Sequence, residues 1–139
     1  MRVRLGVRTV VGKYDHALII LEDMASGDTW VSEGGPHGVW LKGGVKKRVI
    51  DEELNLDEEV CRTSNTSDNV VAKFKTYAKQ TEVVGYEAIP QGGGNSNSWA
   101  HEQLWADGHH AFSPYTSEYV DSGRWLPGWF DNPWRGYHP

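Results

Sequence analysis

The chain has 139 residues, one cysteine and a formal net charge of -5 at pH 7. This length fits one domain that buries a core without disulfides, and seven Trp among 12% aromatic residues argue against a disordered chain. No run of Lys or Arg stands out, so we expect no nucleic-acid partner. The lone Cys61 excludes an internal disulfide and a multi-cysteine metal site. No apolar run reaches transmembrane length and no ordinary export signal is seen, so we expect no membrane span.

The first half of the chain reads as strands. Residues 1–10 alternate apolar and Arg side chains, which is the period of a half-buried strand. The apolar run 15–23 predicts a buried strand, 25–28 predicts a turn, and 29–33 predicts its hairpin partner, ended by a tight turn at "GGPHG". Residues 45–54 favour a strand over a short helix.

The second half predicts helix, strand, helix and an irregular tail. Ser67 or Asp68 is a suitable cap for a first helix whose apolar residues begin at Val70, and 83–90 predicts a strand. A second helix is expected from about Ser96 to Asp107, stopped by Gly108. The tail, 109–139, has four Pro and three Trp and is expected to wrap the core, 1–108. The order predicts one α+β domain over 1–139, with a small antiparallel sheet packed against two or more helices.

The stretch "GGGNSNSWAH", residues 92–101, opens the second helix. Asn and Ser are preferred N-cap residues, so a purely structural role is one interpretation. The other is a reactive group, because a helix start is electropositive and its N–H groups stabilise an oxyanion. His16 at the start of a buried strand is a candidate base for Ser96, and Glu33 or Ser32 on the neighbouring strand is a candidate to orient it.

This order of elements resembles the permuted papain-like group, which includes NlpC-type cell-wall amidases and lecithin-retinol-acyltransferase-like enzymes. In that group a His-bearing strand precedes a nucleophile helix that opens "N-C-x-x-F", and Asn95, Ser96 and Trp99 match N, C and F. The segment is also similar to bacterial secreted or toxin-associated domains that carry "GPNSNS" before a helix. The resemblance implies a permuted papain-like fold, with Ser96 as nucleophile, His16 as base, Glu33 as orienting group and N–H groups near Asn97 as oxyanion donors. Asn95, Ser32 and Trp99 are the implied binding residues.

Serine at the cysteine position leaves three interpretations open: a genuine serine nucleophile, a Cys-to-Ser substitution, or an inactive site that keeps its cleft for binding. The favoured function is an amide or acyl hydrolase or transferase acting on a peptide-like or cell-wall substrate such as peptidoglycan. The alternatives are an inactive binding module and a structural or assembly protein. The sequence does not assign a compartment. The resemblance implies a bacterial effector or phage-type protein, with the bacterial cytoplasm and delivery by a specialised secretion system or phage as one option, and an immunity or carrier protein as partner. No metal or dinucleotide motif is found, so we expect no cofactor.

Overall fold

The structure is a computed structural model that describes residues 1–11, 14–37, 40–48, 64–65, 70–80, 95–107, 120–127 and 129. Within them the chain forms a sheet and two helices. The strands are β1 (Arg2–Val11), β2 (Tyr14–Glu22), β3 (Thr29–His37), β4 (Trp40–Lys47) and the short β5 (Ser64–Asn65). The helices are α1 (Val70–Gln80) and α2 (Ser96–Ala106).

The sheet is antiparallel, with the strand order β4-β3-β2-β1-β5. The strands β1 to β4 lie beside each other in chain order, as short hairpin connections require, whereas β5 pairs with β1 at the opposite edge from β4. The turn between β2 and β3 carries Gly27 at a φ of 78°, a left-handed conformation that glycine adopts without steric cost. Two of the predicted strands therefore form the predicted hairpin.

One face of the sheet packs against the helices, because alternate side chains of each strand point to the same side. Val3, Leu5 and Val7 of β1 lie on this face, beside Ala17, Ile19 and Leu21 of β2. The helices and the tail complete the hydrophobic core with eight further buried residues: Val70, Phe74, Ala78, Trp99, Ala100, Leu104, Leu126 and Trp129. We call this the core face. The opposite face carries Arg2, Arg4 and Arg8 of β1, and we call it the outer face.

β3 is longer than the sequence predicts. We expected a tight turn at "GGPHG", yet 34–37 continue β3 and pair with β4, from Gly34 opposite Gly43 to His37 opposite Trp40. Close packing rather than a turn accounts for Gly34 and for its partner Gly43. A Cβ atom at Gly43 would lie 2.1 Å from Trp99 Cε2, and one at Gly34 would lie 2.9 Å from Trp99 Cγ. Trp99 therefore fits flat against the sheet only where these strands have no side chain.

The α+β class is confirmed: the described part of the chain is an antiparallel sheet with two helices on one face. Leu126 and Trp129 of the tail are buried in the core. No helix in the described ranges is long and apolar enough to cross a membrane. Several expectations lie outside the described residues: the cap at Ser67 or Asp68, the strand at 83–90, the stop at Gly108, and Cys61.

Candidate functional site

A gap in the sheet between β2 and β3 creates the site. The two strands pair from Glu22 opposite Thr29 as far as Ile19 opposite Ser32, and the ladder stops there. The first residues of β2 and the last residues of β3 are then separated, although each strand continues. The start of α2 lies beside this opening, since α2 packs against both strands.

Asn97 fills the place of a missing strand partner for β2. Its side-chain oxygen accepts a hydrogen bond from Ala17 N–H at 2.7 Å, and its side-chain nitrogen donates to the carbonyl of Asp15 at 2.9 Å and to that of Pro127 at 3.0 Å. The Asp15 N–H donates to the Trp125 carbonyl at 2.8 Å. A primary amide offers both an acceptor and donors, so it satisfies a strand edge as a neighbouring peptide would. Asn97 is therefore the buried connection between β2, α2 and the tail.

Asn95 caps α2. Its side-chain oxygen accepts from the N–H groups of Asn97 and Ser98, both at 3.0 Å, and the Ser98 hydroxyl accepts from Asn95 N–H at 2.9 Å. This is a reciprocal capping box. The cap holds the first turn of α2 in place and directs Ser96, the first helical residue, towards the gap.

A cavity of about 610 Å³ opens at the gap. It brings together His16 from β2, Glu33 from β3 and Ser96 from α2. His16 and Glu33 lie on the outer face, whereas α2 lies on the core face, and the gap allows groups from both sides to reach one space. The described residues that line it are Arg8, His16, Glu33, Gly34, Gly35, Pro36, Lys42 and Ser96.

Three side chains on the outer face form a hydrogen-bonded row. His16 Nε2 lies 2.7 Å from Glu33 Oε2, and Arg8 Nη2 donates to the same carboxylate oxygen at 3.1 Å. Arg8 is directly opposite His16 in the β1–β2 register. Because Glu33 engages Nε2, the imidazole is oriented and its Nδ1 is the nitrogen left for another partner.

The His16 hydrogen bond is the largest cause that lowers the pKa of the Glu33 carboxyl below its ordinary value, and the charges of His16 and Arg8 add to it. Partial burial opposes this shift of the pKa but does not reverse it. Glu33 is therefore a carboxylate at neutral pH, the form that accepts an imidazole N–H.

The rim of the cavity is cationic. Lys42 of β4 is directly opposite Gly35 in the β3–β4 register, and its exposed side chain is on the outer face. The Arg8 charge is balanced by Glu33 in an ion pair. Lys42 therefore leaves the described part of the rim with a net positive charge, in a chain whose net charge is -5.

The structure brings together three of the residues that the sequence nominates: His16, Glu33 and Ser96. Asn95 and Asn97 are buried in the cap and the strand-edge contacts, and they are not among the described residues that line the cavity. The backbone N–H of Asn97 is bonded to Asn95, so it is directed at the cap rather than at the cavity.

Ser32 and Trp99 also lie outside the cavity lining. Ser32 precedes Glu33 on β3, so its side chain points to the core face, away from His16. Its buried hydroxyl has no hydrogen-bond partner within the described residues. Trp99 is fully buried against Gly34 and Gly43. Of the two residues considered for orienting His16, Glu33 is the one that contacts the ring.

Four parts of the cavity lining were not predicted from the sequence: Arg8, Lys42, the Gly34–Gly35 edge and Pro36. Arg8 carried a weak signal, since strand alternation places it on the side of β1 away from the apolar residues. Lys42 carried none, because its position depends on the β3–β4 register. The glycines were interpreted as a turn, and the length of β3 could not be read from them.

Among the described residues, no group of three or more His, Cys, Asp or Glu side chains is placed to hold a metal ion. No protein-family model, curated protein or solved structure matches the chain. The site is therefore interpreted from its own geometry.

Proposed function

We propose that the protein is an acyl hydrolase or transferase acting on a peptide-like amide, with Ser96 as nucleophile and His16 as general base. One observation carries the proposal: His16 and Ser96, 80 positions apart in sequence, line one cavity in which Glu33 is hydrogen-bonded to His16. A nucleophile, a base and a group that orients the base form the constellation that acyl transfer requires.

The proposed reaction has two steps. The Ser96 hydroxyl oxygen attacks the substrate carbonyl carbon while its proton passes to His16 Nδ1, the nitrogen not engaged by Glu33. The imidazolium then protonates the leaving amine as the amide C–N bond breaks, which leaves an ester on Ser96. In the second step a water or an amine attacks that ester, and His16 takes the proton and returns it to Ser96.

The oxyanion donor in this proposal is the N–H of Ser96 itself. It is the first N–H of α2, at the electropositive end of the helix, and the following two N–H groups are bonded to Asn95. Among the described residues the Ser96 N–H has no hydrogen-bond partner, so it is the helix-start donor for the developing negative charge. This replaces the expectation that N–H groups near Asn97 supply it.

We further propose a permuted papain-like arrangement and a peptidoglycan or peptide substrate, in a bacterial effector or phage-type protein with an immunity or carrier partner. The support is the order of a His-bearing strand before a nucleophile helix, together with the "NSNSW" motif at the start of α2. A cavity of about 610 Å³ has room for several residues of an extended substrate.

The first test measures hydrolysis of p-nitrophenyl acetate by the purified chain and by its Ser96→Ala and His16→Ala variants. Both substitutions are expected to reduce kcat/KM to the uncatalysed background, because each removes one member of the pair. Unchanged hydrolysis in Ser96→Ala would contradict the proposal.

A second measurement tests the environment of position 96 without turnover. In a Cys61→Ala background, the thiol of Ser96→Cys is titrated by its rate of reaction with iodoacetamide, and Ser26→Cys in the exposed β2–β3 turn is the control. The helix start and His16 are expected to make the thiol at position 96 react about tenfold faster at pH 6 than the control. Adding His16→Ala should remove most of that advantage. Equal rates at the two positions would show that His16 does not activate a nucleophile there.

The binding-module alternative has its own support, since a serine hydroxyl is a weaker nucleophile than a thiol. It predicts that the natural chain does not hydrolyse the ester while Ser96→Cys is still activated by His16. The two measurements together therefore distinguish an active serine enzyme from a site that keeps only its cleft.

A further inference from the structure

The edge of β3 beside the cavity has an unfilled place in the sheet. Near the hairpin turn, Asp23 N–H donates to the Asp28 carbonyl at 2.8 Å, and this bonded pair sets the alternation of the β2–β3 ladder. The next bonded pairs, two residues further each time, are Leu21 with Trp30 and Ile19 with Ser32. One step further the ladder would pair Ala17 with Gly34.

That pair does not form, because the Ala17 N–H is bonded to Asn97 instead. On the other side of β3, Arg48 N–H donates to the Thr29 carbonyl at 2.8 Å, so the odd-numbered residues of β3 direct their backbone groups to β4. The N–H and C=O of Gly34 therefore point into the gap. Within the described residues they have no hydrogen-bond partner.

Pro36 agrees with this assignment. Proline lacks an N–H, so it is tolerated in a sheet only where that group would face away from the ladder. Pro36 is two residues beyond Gly34, and its C=O points to the same side, into the gap. The edge thus offers one donor and two acceptors in a line, and it lines the same cavity as Ser96.

We propose that this edge, Gly34 to Pro36, binds the substrate as an extended peptide strand, antiparallel to β3. The inference rests on the proposed function, which places a substrate carbonyl at Ser96. It adds that the substrate is a peptide backbone in extended form and that Gly34 is the residue that binds this backbone. A strand at this edge lies about 4.8 Å from β3, in the cavity that Gly34, Pro36 and Ser96 line. Main-chain pairing of this kind selects a peptide over a lipid or a simple ester.

The probe is the pentapeptide acetyl-Ala-Ala-Glu-Ala-Ala-amide, with one Glu because the rim at Lys42 is cationic. It is titrated into ¹⁵N-labelled Ser96→Ala protein, so that binding is followed without turnover. The Gly34 amide resonance is expected to shift saturably, and that of Gly27, whose N–H is bonded to Asp23 in the distant turn, is the control. The probe is altered rather than Gly34 itself, because any side chain at Gly34 would collide with Trp99.

A set of the same peptide with one backbone N-methyl group at each position in turn gives the sharper result. A strand paired along one edge directs alternate residues to that edge, so N-methylation should weaken binding about tenfold at alternate positions only. An unmoved Gly34 resonance, or equal sensitivity at every position, would overturn the inference.

These outcomes are separate from those for the proposed function. If ester hydrolysis depends on Ser96 but the Gly34 resonance does not shift, the proposed enzyme is supported and the strand-binding edge is rejected. A shift at Gly34 without any hydrolysis keeps the edge and favours the binding module.

Discussion

At the scale of single residues, the contact between His16 and Glu33 defines the chemistry of the site. An imidazole held at one nitrogen by a carboxylate presents the other nitrogen in a fixed direction. Arg8 contacts the same carboxylate oxygen, so Glu33 stays ionised in a partly enclosed place. The three side chains lie in a row because alternate residues of the neighbouring strands β1, β2 and β3 point to the same outer face.

Replacing Glu33 by Gln tests this row. The kcat for ester hydrolysis should fall about 10²-fold, because a neutral amide orients the His16 ring less firmly than a carboxylate and does not stabilise the imidazolium. Glu22→Gln is the matched control: Glu22 also pairs with arginines on the outer face, Arg2 and Arg4, but it is not among the residues lining the cavity. Its kcat should stay at the level of the unmodified chain.

The same variant carries a pH signature in stability. The pKa of Glu33 is lowered below its ordinary value of 4.5 in the folded chain, so its carboxylate stabilises the fold at pH values above 4.5. This contribution is lost as the pH falls through the lowered pKa. Because the side chain is 39% exposed, we expect a difference of under about 1 kcal/mol. Urea unfolding at pH 7 and pH 3 should show the difference between the unmodified chain and Glu33→Gln shrinking on acidification, and a growing difference would contradict it.

At the scale of elements, the packing of α2 on the sheet depends on the absence of side chains. The Trp99 ring lies over Gly34 of β3 and Gly43 of β4, which face each other across the ladder. An aromatic ring placed this close to two backbones removes a large apolar area from water without a cavity. This packing fixes the distance of the start of α2, and of Ser96, from the sheet.

Gly43→Ala should therefore lower the free energy of unfolding by about 1–3 kcal/mol, because the new methyl group and the Trp99 ring cannot occupy the same space. Gly44→Ala is the matched control. A Cβ atom at Gly44 meets nothing within 4 Å, and we expect a change of less than about 0.5 kcal/mol. Urea unfolding of the two variants measures the difference, and equal stability would show that the ring moves aside at no cost.

At the scale of the whole molecule, Asn97 joins parts of the chain that are far apart in sequence. It bonds to β2 through Ala17 and Asp15 and to the tail through Pro127, while it belongs to α2. Its amide completes the edge of β2 and keeps β3 away from that edge. The gap that forms the cavity therefore depends on a side chain outside the cavity.

Asn97→Ala should destabilise the fold by about 2–4 kcal/mol, because it leaves a buried N–H and buried carbonyls without their partner. Ser96→Ala, the adjacent position, is the control and should change stability by less than about 0.5 kcal/mol while it abolishes hydrolysis. Thermal and urea unfolding distinguish the two. A stable Asn97→Ala variant would mean that the edge of β2 is satisfied in another way.

Much of the architecture could be predicted from local signals. The alternation of Val3, Leu5 and Val7 with arginines predicted β1 and its buried side, and the capping residue Asn95 predicted the start of α2. The end of β3 could not be predicted, because Gly34 has the same local preferences in a turn and beneath a packed ring. Only the position of Trp99 decides between them.

The sequence by itself determined β1, the β2–β3 hairpin, the start of α2 and the candidate chemistry, since hydrophobic period, capping residues and the identities of His16, Glu33 and Ser96 are local properties. Tertiary structure alone decided which of these side chains share a space. His16 and Ser96 line the same cavity only because the β2–β3 ladder stops before it. The ladder stops because the Asn97 amide takes the place of the next residue pair. The hydrogen bond between Ala17 and Asn97 joins residues 80 positions apart, and no local preference of the chain encodes it.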